Sequence, residues 1–151
     1  MNRNEFLAFS LPYDVKAIDK FECIWTIHPY KDALDDLKDN EHLSYENFIK
    51  EEGHRLILHP LSDLTKEIEH KGEKFVPIEE LREIIGGSWC GVYEGVVELI
   101  QEWDIDTLKD KIKYLPFEFI QLFISWQFDI ADLLSKGEAI DVNTLEENPY
   151  K

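Results

Sequence analysis

A chain of 151 residues with 44% apolar and 13% aromatic residues is long enough, and hydrophobic enough, to fold around a real core, which excludes a disordered acidic polymer. Its 32 Asp and Glu against 16 Lys and Arg leave a formal net charge of −16. A surface of that sign repels nucleic acid, anionic membranes and phosphate-rich ligands and favours basic partners. The composition therefore predicts one domain over residues 1–151, with an acidic skin around an aromatic interior.

Taken in chain order, Asn2 to Ser10 reads as a short helix. Asn2 or Asn4 caps it, Leu11-Pro12 ends it, and Phe6, Leu7 and Phe9 dock on the core. Phe21 to His28 (FECIWTIH) alternates in the period of a strand and stops at Pro29. Asp32 to Glu52 is the acidic stretch. Within it Ser44 is a helix cap with Glu46 in the first turn, and Gly53 is a stop. His54 to His59 (HRLILH) is a short apolar strand. Asp63 to His70 reads as a helix stopped by Gly72, and Lys74 to Ile78 as an edge strand shortened by Pro77.

Ile84 to Gly95 holds four of the seven glycines and reads as a turn leading into a helix over Val92 to Trp103. Asp104 or Asp106 caps the next helix, Thr107 to Lys113. The strongest periodic signal follows Pro116. Glu118, Gln121, Ser125, Asp129, Asp132 and Lys136 form one narrow polar stripe on an otherwise apolar segment, which predicts a buried central helix over 116–136, ended by Gly137. Strands in the first half and helices in the second predict an α+β fold: a small antiparallel sheet from the N-terminal half packed against C-terminal helices.

Motifs of known chemistry are missing. The segment carries no GxGxxG or GxxxxGK[ST], and the chain has no HExxH, CxxC or EF-hand loop. His54 and His59 are five apart on a strand, so they face opposite sides and do not share a metal. Cys90, in the turn Gly86-Gly87-Ser88-Trp89-Cys90-Gly91, has no base fixed beside it and reads as a small residue packed on Trp89. Two cysteines make no disulfide framework, and Glu5 interrupts any N-terminal leader. No enzymatic activity, no metal and no cofactor is expected. The expected location is the cytoplasm, with reduced thiols.

What remains is distributed charge. Asp32, Asp35, Asp36, Asp39 and Glu41, supported by Glu51 and Glu52, are spaced irregularly like the phosphates of a duplex and are the expected partner-binding residues. Such a row suits the basic groove of a nucleic-acid-binding protein, with binding that weakens as salt rises. In the alternative, the charge serves only solubility and the protein is an assembly module or homo-oligomer, with its interface around Trp89, Tyr93 and Trp103.

Three stretches, NEFLAFSLPY at 4–13, LHPLSDLTKEIEHKGEKFVPI at 58–78 and WQFDIADLLSKGEAIDVNTLEENPYK at 126–151, resemble a family of small uncharacterised proteins encoded by bacteriophages and prophages. The resemblance implies a phage context and the cytoplasm of a host bacterium. It transfers no functional residue. In that context, small acidic proteins disable host machinery with basic nucleic-acid channels, and an inhibitor of host defence such as an anti-CRISPR is the expectation.

Overall fold

A computed structural model of the chain describes residues 1–29, 42–86 and 92–151. The fold is α+β, as the sequence predicts, and divides into two compact units, residues 1–58 with 131–149 and residues 59–130 with 150–151.

The first unit is built on a five-stranded sheet of order β3-β2-β1-β4-β7, with β1 Lys16–Ile18, β2 Ile24–His28, β3 His42–Ser44, β4 Arg55–Leu58 and β7 Ala139–Asp141. The sheet is mixed rather than purely antiparallel. β1 runs antiparallel to β2 and β4, with Ala17 opposite Trp25 and Leu56. The β2–β3 and β4–β7 pairs are parallel, with Ile27 opposite Leu43 and Ile57 opposite Ile140. Nor is the sheet confined to the N-terminal half, because residues 139–141 supply β7. Leu56, Ile57 and Leu58 are all fully buried, so both faces of β4 are covered.

Among the described residues, two short helices accompany this sheet. α1 (Arg3–Ser10) opens with a reciprocal capping box. Asn2 Oδ1 accepts from the Glu5 N–H and Glu5 Oε2 accepts from the Asn2 N–H, both at 2.9 Å. It buries Phe6 and Leu7 but leaves Phe9 half exposed, since Phe9 falls off the stripe that faces the core. α2 (Tyr45–Lys50) starts at the Ser44 cap, whose Oγ accepts from the Asn47 N–H. The Arg3 guanidinium lies 5.1 Å above the ring of buried Phe48, tying α1 to α2.

Among the described residues, the second unit holds a hairpin, β5 Ile68–His70 and β6 Glu73–Phe75, and four helices, α3 Pro77–Gly86, α4 Val92–Glu102, α5 Ile105–Lys111 and α6 Phe117–Ser125. The helix expected over Asp63 to His70 is instead a 3-10 turn at Leu61–Thr65 followed by β5. Gly72 is not a helix stop. It follows Lys71 in a two-residue hairpin turn in which both residues have positive φ, 51° and 83°. The core of the unit gathers Leu64, Leu81, Val97, Leu108, Phe119, Phe123 and Phe128.

The predicted central helix over 116–136 ends at Ser125. Gln127 sits in the left-handed region at φ 62°. The Phe128 N–H donates to Phe123 O and the Gln127 N–H to Ile124 O, each at 2.9 Å, which is a Schellman motif with its Phe123–Phe128 contact in place. The residues that follow are committed elsewhere. The His59 N–H donates to Gln127 O and the Asp129 N–H to His59 O, at 2.8 and 2.9 Å. Tertiary pairing with His59 thus replaces the helical ladder. Asp129, Asp132 and Lys136 are not on a helical stripe.

Candidate functional site

Of the residues expected to bind a partner, Asp32, Asp35, Asp36, Asp39 and Glu41 lie outside the described residues, as do Trp89 and Cys90. Glu51 and Glu52 are described. They stand exposed at the end of α2, ahead of Gly53, whose φ of 91° only glycine adopts freely. A Cβ at Gly53 would lie 3.6 Å from the Lys20 Cβ, so this acidic turn packs against the turn joining β1 to β2.

That second turn is organised by Asp19. Its Oδ1 accepts from the Phe21 and Cys23 N–H groups at 2.8 and 2.9 Å, and its Oδ2 accepts from Trp25 Nε1 at 3.0 Å. Desolvation pulls the Asp19 pKa upward. The hydrogen bonds from Trp25, Cys23 and Phe21 outweigh it and hold the carboxyl below its ordinary value. With Glu22 in the left-handed region at φ 65°, the turn pushes Phe21 outward until its ring is 74% exposed. The strand expected from Phe21 therefore begins only at Ile24.

Between the two turns lies a cleft of about 500 Å³, walled by Phe21, Trp25, Leu43, Glu51, Glu52 and His54. His54 is only 7% exposed. Its Nε2 lies 3.7 Å from Glu51 Oε2, and its ring packs 5.7 Å from Phe48. The Lys20 ammonium lies 5.2 Å above the Phe21 ring, and Lys20 also lines this cleft. On the sheet nearby, a second cleft of about 450 Å³ has an apolar floor of Ile18, Ile24, Ile140 and Leu145, and a rim of Glu22, Arg55, Glu146 and Glu147. The Phe21 turn contributes to both clefts.

The sequence pattern assigns Phe21 to a strand and overlooks Asp19, whose partners two, four and six residues ahead are the signal of an Asx-type turn. Asp19→Asn keeps an acceptor for the two N–H groups but sets an amide NH2 against the Trp25 N–H. The variant is expected to lose about 1–2 kcal/mol in urea unfolding.

His28 and His42 meet ring to ring at 4.5 Å on the paired strands β2 and β3, and His59 and His70 both pack on Tyr150. His54 belongs to the first unit and His59 to the second, where its Nδ1 lies 3.6 Å from Asp63 Oδ2. Cys23 is an exposed free thiol. Among the described residues, no three His, Cys, Asp or Glu side chains are grouped to hold a metal, and no helix is long and apolar enough to cross a membrane. No protein-family model, curated protein or solved structure matches this chain.

Proposed function

We propose that the chain is a non-enzymatic binding protein that docks on the basic, nucleic-acid-binding surface of a host protein in the bacterial cytoplasm, as a phage-encoded inhibitor of host defence such as an anti-CRISPR. The observation that carries this reading is an exposed aromatic ring, Phe21, flanked by the open carboxylates Glu51 and Glu52 on a chain of net charge −16. A large exposed aromatic is the type of residue that anchors an interface, and surrounding charge steers the encounter and fixes register. Occupying a groove built for phosphates displaces the nucleic acid without any bond being made or broken.

The test is capture of a partner by the tagged chain from host-cell lysate at low and at physiological salt, followed by competition with duplex DNA or RNA. A basic nucleic-acid-binding protein should be retained, lost progressively as salt rises and displaced by excess nucleic acid. Glu51→Lys with Glu52→Lys should weaken the complex by about tenfold or more. Full binding by that charge-reversed variant, or a complex indifferent to salt, overturns the reading.

A second reading, as a homo-oligomeric assembly module, draws on Tyr114 and Phe117, which are 73% and 66% exposed where α5 gives way to α6. A chain that captures only itself, with self-association lost in Tyr114→Ser with Phe117→Ser, would move the weight there.

A further inference from the structure

The cleft beneath Phe21 sets carboxylates beside aromatic walls: Glu51 and Glu52 with Phe21 and Trp25, and Lys20 as a cationic side chain of its own. Glu51 and Glu52 present carboxylates at its mouth, and Glu52 has no hydrogen bond or ion pair among the described residues. Asp19 takes no part, because its two oxygens are already filled by three donors from its own turn and Trp25. Those same bonds fix the Trp25 indole as a rigid aromatic wall.

His54, more than nine-tenths buried, supplies the independent sign of a ligand. Its Nδ1 is buried with no hydrogen-bond partner among the described residues. Its Nε2 faces Glu51, which leaves Nδ1 as the ring nitrogen without a partner. The cleft's own donor side chain, Lys20, holds its ammonium over the Phe21 ring and shows that this face seats a cation.

We propose that this cleft receives the guanidinium of an arginine side chain from the protein partner, with its N–H fork on Glu51 and Glu52 and its plane against Phe21 and Trp25. The inference rests on the docking reading and names what the docking surface takes. A planar donor fork suits paired carboxylates between aromatic faces better than the strongly hydrated point charge of lysine. The incoming group takes the place of Lys20, which swings out to solvent.

The test is an NMR titration of the full chain with Nα-acetyl-arginine amide, and with the lysine and citrulline analogues, at low salt. Saturable shifts are expected at the Trp25 indole N–H and the Gly53 and His54 amides with the arginine compound. The lysine compound should need several-fold higher concentration, and citrulline, the neutral isostere, should give none. Glu51→Gln with Glu52→Gln should weaken the arginine response about tenfold, and Lys20→Ala should strengthen it. Equal response to citrulline, equal response to lysine, or no loss in the double variant overturns the proposal. Salt-sensitive capture of a basic partner without a Trp25 shift would sink the arginine seat and leave the docking reading standing. The Trp25 shift without any basic partner would do the reverse.

Discussion

Phe128→Ala is expected to cost about 3–5 kcal/mol, as large as any single substitution this chain can suffer. Phe128 is fully buried, and its ring meets Phe123 edge-on at 6.3 Å and the His59 ring at 5.3 Å. It also stands at the end of the Schellman motif, where it closes α6 and begins the pairing with His59. Truncation therefore opens a cavity and frees the apolar contact that holds the helix end. Against a total stability of about 5–15 kcal/mol, that is a large share of the folded margin, and the unfolding midpoint should fall well below the parent's. Phe128→Leu keeps most of the volume and should cost about 1–2 kcal/mol. Near-UV circular dichroism through a denaturant series reads both variants. A loss under 1 kcal/mol for the alanine variant would show that the ring is not part of a packed core.

The second large effect concerns acid. Burial is the main cause that brings the His70 pKa down from 6.5 to about 4, and the positive charges of Lys71 and His59 add to it. A hydrogen bond with the Ser125 backbone works in the opposite direction and only partly offsets them. The ring is stacked on Tyr150 at 5.7 Å, and its Nδ1 is buried without a hydrogen bond among the described residues. The folded chain therefore holds His70 neutral where the unfolded chain binds a proton. The associated stability is fully present above about pH 6.5, is lost as pH falls from there toward 4, and changes little below.

A shift of that size corresponds to a ceiling of about 3 kcal/mol, and screening by nearby solvent reduces the expected loss to about 2 kcal/mol. The carboxylates pull the other way in this range, since protonating them relieves the self-repulsion of a −16 chain. The measurement is thus a difference. His70→Phe, which keeps the stacking and cannot titrate, should match the parent within about 1 kcal/mol at pH 7.5 and exceed it by about 2 kcal/mol at pH 4. Parallel pH profiles for the two proteins would place His70 outside the acid response.

Local signals in the sequence carry through to the structure at the helix caps. Asn2 with Glu5, Ser44 with Asn47 and Asp104 with Thr107 all cap where the sequence predicts a cap, because each bond spans three residues. The β character of FECIWTIH and HRLILH likewise survives in β2 and β4, and with it the α+β class.

What the sequence hides is set by long-range choices. Nothing in AIDV announces that it pairs in parallel with β4 from more than eighty residues away. Gln127 adopts the conformation usually left to glycine because His59 and Phe123 claim its neighbours, so a helix read to Gly137 stops at Ser125. The cleft is half legible. Glu51 and Glu52 stand out as charge, whereas Trp25 and His54 reach them only through the Asp19 turn and the sheet register.

The parallel pairing of β4 with β7 has a consequence for synthesis on the ribosome. When residues 55–58 leave the exit tunnel, the strand that will occupy their outer side has not been translated, and the whole of residues 59–130 must emerge before it is. Until then β4 presents an unpaired edge, apolar from Leu56 to Leu58, to the cell, a template for any passing strand. The nascent chain is thus most prone to aggregate between those two moments. A premature stop before residue 139 would leave that edge open permanently.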